Sequence, residues 1–153
     1  SAEKTIGNDV VHQAMKLMHM SKKSNVILIE KLLEVFIDIN GRRPRILLSS
    51  TATIKNQDEL HKIAIQFSDF GFDVDFAPSF IDTNHLVKQA IENDVHSIHL
   101  IVSYDKRINQ IKNIEAALMN NDRSNILVTA IETKELNNSF ESEAIALLKE
   151  LQK

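Results

Sequence analysis

Residues 41–78 read GRRPRILLSSTATIKNQDELHKIAIQFSDFGFDVDFAP, and their pattern decides the fold. Arg45, Ile46, Leu47, Leu48, Ser49 and Ser50 form a short apolar run behind Pro44, as a strand does. From Asn56 to Phe70, apolar residues recur at Leu60, Ile63, Ala64 and Phe67, the spacing of one helix face. Gly71 stops that helix, and residues 72–76 begin a second strand. Strand, crossover helix and strand within this length make one βαβ unit, which implies parallel pairing and a right-handed crossover. In such a unit the loop after the first strand usually carries the ligand chemistry. Here that loop, Ser49 to Gln57, contains no glycine, histidine or carboxylate.

Working outward, the same alternation continues. Residues 83–94, 105–121 and 140–151 have helical periodicity, with Leu86, Val87, Ala90 and Ile91 inward in the first and Ile108, Ile111, Ile114, Ala117 and Leu118 inward in the second. Residues 97–103 form an almost wholly apolar strand, as expected of one covered on both faces, and residues 125–131 form a fourth. On the amino-terminal side, Val10, Val11, Ala14, Leu17 and Met18 share one face of a helix ending near Met20. A polar break follows at Ser21–Ser24, then a second helix over Asn25–Ile39 whose apolar residues cover more than one face. So wide an apolar surface must be buried on two sides. Ile29, Leu32, Leu33 and Phe36 are therefore the candidate interface residues, serving a protein partner or a homo-oligomer. The whole is an α/β three-layer sandwich with a parallel sheet of about four strands. It divides into an N-terminal helical extension, 1–40, and an α/β domain, 41–153.

Composition narrows the function. The chain has 153 residues, enough for one domain with a full core. Its net charge of -3 gives no electrostatic case for nucleic acid. The absence of cysteine excludes disulfides, thiolate nucleophiles and Cys-based zinc sites. No apolar run approaches the roughly 20 residues needed to span a bilayer. An intracellular location is the expectation: cytoplasmic, or the mitochondrial matrix in a eukaryote. The three glycines, Gly7, Gly41 and Gly71, are too few and too scattered for a phosphate-cradling loop.

The blocks GRRPRIL (Gly41–Leu47) with Leu48, GFDVD (Gly71–Asp75) and AIENDVH (Ala90–His96) resemble the cobalamin-binding domain of methylmalonyl-CoA mutase and related acyl-CoA mutases. The resemblance spans about Asp38 to Ala130 and implies a flavodoxin-like (Rossmann-like) fold. It also implies a cofactor site built on an Asp-x-His-x-x-Gly motif after the first strand. There the histidine is the lower ligand to cobalt, and the aspartate bonds its other ring nitrogen. Gap-free spacing puts Ile54 at the aspartate, Asn56 at the histidine and Glu59 at the glycine. Isoleucine accepts no hydrogen bond, an asparagine amide is a poor cobalt ligand, and glutamate brings a Cβ and a charge where backbone must come close. The family's serine on the third strand falls at Ile101, and its paired glycines after the fourth fall at Ile131 and Glu132. Its fifth strand is not evident between Glu132 and the last helix.

The resemblance with these departures gives the leading expectation: a degenerate, non-catalytic cobalamin-binding-like domain with no cofactor. It would be part of an acyl-CoA mutase subunit or paralogue, an isomerase subunit that is not an enzyme by itself. It would act through protein contacts, the catalytic subunit of such a mutase among the candidate partners. The first alternative is a cobalamin-binding module of a methylmalonyl-CoA mutase-type isomerase, base-on or with an altered lower ligand. The second is a small-ligand or regulatory domain using the hydroxyl-rich crevice of Ser49, Ser50, Thr51, Thr53 and Ser103 at the carboxyl ends of the strands. Without a neighbouring base those hydroxyls make no nucleophile. His96 and His99 are three apart at the start of a strand, which puts them on opposite faces and argues against a metal pair. Arg42, Arg43 and Arg45 are expected to cover the sheet edge and pair with acidic residues.

Overall fold

The structure, a computed structural model, describes residues 2–51, 57–79, 81–103, 105–135 and 140–153. Side chains of residues 2–9, 14–15, 18–22, 57–59 and 134 are outside that description. In chain order the elements are α1 (Ala2–Asn40), β1 (Arg45–Ser50), α2 (Gln57–Phe70), β2 (Asp73–Phe76), α3 (Thr83–Glu92), β3 (Ser97–Val102), α4 (Arg107–Asn120), β4 (Leu127–Glu132), a 3-10 turn (Thr133–Glu135) and α5 (Phe140–Leu151). The four strands are all parallel, in the order β2-β1-β3-β4. The flavodoxin-like three-layer arrangement is thus the one the alternating pattern requires.

β1 and β3 have two apolar faces because each face meets helices. Ile46, Leu48, Ile101 and Ile131 pack with Phe67 of α2, Phe140 and Leu147 of α5, and Ile29 and Leu33 of α1. Leu47, Ile98, Leu100 and Val102 pack with Leu86 and Val87 of α3 and Ile114 and Leu118 of α4. All six residues of β3 are buried, consistent with its nearly continuous apolar sequence.

Three expectations change. The two N-terminal helices are one continuous 39-residue helix, running straight through Ser21–Ser24. Polar residues do not interrupt a helix when none is proline, because every backbone bond can still form. Ile29, Leu33 and Phe36 are 2%, 8% and 1% exposed, and Leu32 packs partly buried beside them. These four face the chain's own core and not a free surface. Gln152 Nε2 donates to the Leu32 carbonyl at 2.8 Å, tying the chain's end to α1. Ile108, expected inward, is 67% exposed. At 3.6 residues per turn it lies roughly a quarter to a third of a turn from the buried Ile114 and Leu118.

The βαβ junctions follow their sequence signals. Gly71 (φ +107) lets the chain leave α2, with Phe72 N–H donating to the Phe67 carbonyl at 3.1 Å. A Cβ built on Gly71 would lie 2.8 Å from Leu33 Cδ1, so α1 crosses this turn at close range. Asp82 caps α3 by accepting from His85 N–H at 3.0 Å, and that bond is the main cause holding its carboxyl below the usual range.

Candidate functional site

The sheet order sets a topological switch between β1 and β3. The chain leaves β1 through α2 on one face and reaches β3 through α3 on the other, so their carboxyl ends open a crevice. Ser49 and Ser50 end β1 at that point, and Thr51 follows them. Ser49 and Ser50 are fully buried, however, and their hydroxyls point into the fold. Ser49 Oγ donates to the Pro78 carbonyl at 3.2 Å, and Ser50 Oγ lies 3.4 Å from the Ile101 carbonyl. Thr51 is half-buried: its N–H donates to Ile101 at 2.9 Å and its hydroxyl to Gln110 Oε1 at 2.8 Å. Ser103 is half-buried at the end of β3. The hydroxyl crevice of the sequence therefore splits: two members brace the sheet, Thr51 and Ser103 stand at the rim, and Thr53 lies outside the described residues.

Of the positions corresponding to the lower-ligand motif, Ile54 and Asn56 lie outside the described residues. Glu59 is in the first turn of α2, with its side chain undescribed. The nucleotide-tail positions are clear. Ile101 and Ile131 are register partners on β3 and β4, 0% and 1% exposed, in the core cluster beneath α5. Two branched side chains fill the space that a serine and a glycine would leave open. Glu132 is 8% exposed; its carboxylate is 4.0 Å from Arg107 Nη1, which also lies 3.6 Å from Glu135.

A second polar feature lies at β4, in a stretch of sequence without a recognisable motif. His99 is 2% exposed and stacks edge-on against Phe67 at 5.4 Å. Its Nδ1 is 2.7 Å from Thr129 Oγ1, and its Nε2 has no hydrogen-bond partner among the described residues. Burial, aided by the Arg107 charge, pushes its pKa down to about 4, so the ring is neutral at physiological pH. His99, Arg107 and Thr129 help line a cavity of about 430 Å³ between α4, β4 and α5. Glu143 of α5 lines it too, its pKa raised first by burial and then by the Glu135 charge, against the opposing pull of Arg107.

At the amino end of the sheet the basic cluster has a structural role. Arg42 Nη2 donates to the Asp94 carbonyl at 2.6 Å and to its carboxylate at 3.2 Å, and Arg123 reaches the same carboxylate at 2.8 Å. Arg45 lies 3.9 Å from Asp75. His96 Nδ1 accepts from Arg45 N–H at 2.9 Å and its ring packs on Phe36 at 4.9 Å. β3 begins at Ser97, so the strand's alternation does not govern His96, and both histidine rings meet phenylalanines of α1 or α2. Among the described residues no group of three or more His, Cys, Asp or Glu is placed to hold a metal, and no helix is long and apolar enough to cross a membrane.

No family model matches the chain. Methylmalonyl-CoA mutase of Escherichia coli (strain K12) is 42% identical over 65 residues, 42% of this chain and 9% of the mutase. The probable methylmalonyl-CoA mutase large subunit of Mycobacterium tuberculosis (strain ATCC 25618 / H37Rv) is 37% identical over 79 residues, 52% of this chain and 10% of that one. The large subunit from Porphyromonas gingivalis is 33% identical over 101 residues, 66% of this chain and 14% of its own length. The chain thus spans between 9% and 14% of the length of these relatives. A solved cobalamin-binding protein from Desulfitobacterium hafniense DCB-2 superposes with a TM-score of 0.51 at 12% identity, over 85% of this chain and 69% of that one, a likeness of fold. The expectation that no cofactor is involved does not stand against these likenesses, which point to cobalamin. In sequence and in fold, then, the chain is similar to the cobalamin-binding region of methylmalonyl-CoA mutases.

Proposed function

We propose that this chain is a cobalamin-binding module of the methylmalonyl-CoA mutase type, with a lower ligand other than the family's histidine. The observation that carries it is the placement of the shared blocks. GRRPRIL and GFDVD supply the turns before β1 and β2 and the first residues of both strands, and so set the sheet on whose carboxyl ends the switch-point crevice opens.

The residues present fit one part of the cofactor and not another. The rim at the carboxyl ends of β1 and β3, with Thr51 and Ser103, suits the amide-bearing edge of a corrin ring. The interior between sheet and α5 does not suit a nucleotide tail, because Ile101 and Ile131 fill it. A cofactor that keeps its own base on cobalt requires neither that channel nor a histidine after β1. When bound, cobalamin would supply a reactive cobalt–carbon centre. This chain's own part would be to hold the ring at the rim, while α2 and α5 keep the sheet closed beneath it. The acyl-CoA chemistry would belong to a catalytic subunit or to another part of a longer protein, a partner to which the module presents its cofactor.

The test is a visible-absorption titration with hydroxocobalamin and adenosylcobalamin, followed by desalting. Cofactor retained in stoichiometric amount, with the spectrum of its own base on cobalt, is the expected result. Loss of all cofactor on desalting, with an unshifted spectrum, would overturn the proposal.

A further inference from the structure

β4 is the last strand of the sheet, and among the described residues no strand lies on its outer side. Its inner side is fully engaged: Leu127 N–H donates to the His96 carbonyl at 3.1 Å, and the parallel register runs on to Glu132. Since successive residues of a strand turn their N–H and C=O to opposite sides, Val128 and Ala130 direct theirs outward. They open into the 430 Å³ cavity, which straddles the strand edge. One wall is α4, with Arg107 and Ile111; the other is α5, with Glu143 and Leu147.

The β4 edge is set back between the two helices, with Val128 half-buried and Ala130 6% exposed; a strand edge without a neighbouring strand invites one, and sheets normally blunt such edges with charge, proline or a covering element. β4 has no proline, and Val128 and Ala130 leave its centre bare of charge. The groove is lined by one cation, Arg107, and two carboxylates, Glu143 and Glu150. Arg107 is engaged by Glu132 and Glu135, whereas Glu143 is half-buried beside Glu135, like charge against like. A cation passing Glu143 would relieve that crowding. A second copy of the same acidic edge would add to it.

We propose that the β4 edge is a docking site for an extended segment of another protein. The segment adds as a fifth strand, has apolar residues at alternate positions against Ile111 and Leu147, and carries a lysine or arginine where it passes Glu143. Its backbone bonds to Val128 and Ala130, and its flanking side chains enter the groove from either face. The site is separate from the carboxyl-end rim and does not depend on cobalamin binding.

The probes are three synthetic octapeptides alternating valine and threonine: one with a central lysine, one with glutamate at that place, and one lysine peptide with N-methylated backbone amides. Binding to the 153-residue chain is read by heteronuclear NMR and amide exchange. The expected result is slowed exchange at Val128 and Ala130 with the lysine peptide. The glutamate peptide should bind at least tenfold more weakly and the N-methylated one not at all. Glu143→Gln, which keeps the side chain's shape and removes its charge, should narrow the lysine–glutamate difference. Equal binding of the lysine and glutamate peptides, or no protection at Val128 and Ala130, overturns the proposal. So does concentration-dependent protection of those amides without peptide, which would assign the edge to a second copy of the chain.

Discussion

His99 Nδ1 lies 2.7 Å from the hydroxyl of Thr129 across the β3–β4 pair, inside a core that leaves the ring 2% exposed. The Thr129 hydroxyl also lies 3.4 Å from the Ile98 carbonyl. A neutral ring held this way makes the fold sensitive to acid. Its pKa is about 4 in the folded chain against 6.5 unfolded, so the unfolded state takes up the proton first. The stability contribution is full above pH 6.5 and is lost as pH falls from 6.5 towards 4. The loss is up to roughly 3 kcal/mol. Urea denaturation at pH 7 and pH 4.5 should show it, and His99→Leu should remove most of the difference. An unchanged difference in that variant would refute this assignment.

Gly71 should resist substitution for two reasons at once. Its φ of +107 is disfavoured for any side chain, and a Cβ there would meet Leu33 at 2.8 Å. Gly71→Ala should cost about 1–3 kcal/mol, read as a lower urea midpoint with an unchanged slope. A companion Leu33→Ala change would remove the clash but not the backbone strain, so it should rescue only part of any cost from the contact.

Phe36 tests where α1 belongs. It is 1% exposed and packs on His96. Phe36→Ala should cost about 3–5 kcal/mol, independent of protein concentration, because the contact lies within one chain. A loss that disappeared at high concentration would return this helix face to an interface between chains.

Ile131 tests the tail channel. Ile131→Ala should destabilise the fold by about 2–5 kcal/mol, since the side chain is 1% exposed and pairs with Ile101 beneath α5. The spectrum of bound cobalamin should not change, because on the proposed mode no part of the cofactor enters there. A shift in that spectrum would put the nucleotide tail in the channel after all.

The order of elements, the parallel sheet and most of the core were determined by the sequence alone. Hydrophobic spacing is local, and Pro44 and Gly71 mark where it changes period. The likeness to the mutase blocks was equally legible, because GRRPRIL and GFDVD are contiguous runs. Other features came from contacts between distant residues. Ser49 and Ser50 look like ligand hydroxyls in sequence, yet the Pro78 and Ile101 carbonyls turn them into braces. Ile29, Leu33 and Phe36 look like an interface, yet α1 runs on through Ser21–Ser24 and buries Ile29 and Leu33 in the chain's own core and Phe36 against His96. His99 and Thr129, thirty residues apart, become partners only through strand register. The open edge of β4 exists only because the strand order places it last. Local periodicity says which face of an element is apolar; only the tertiary arrangement says what covers it.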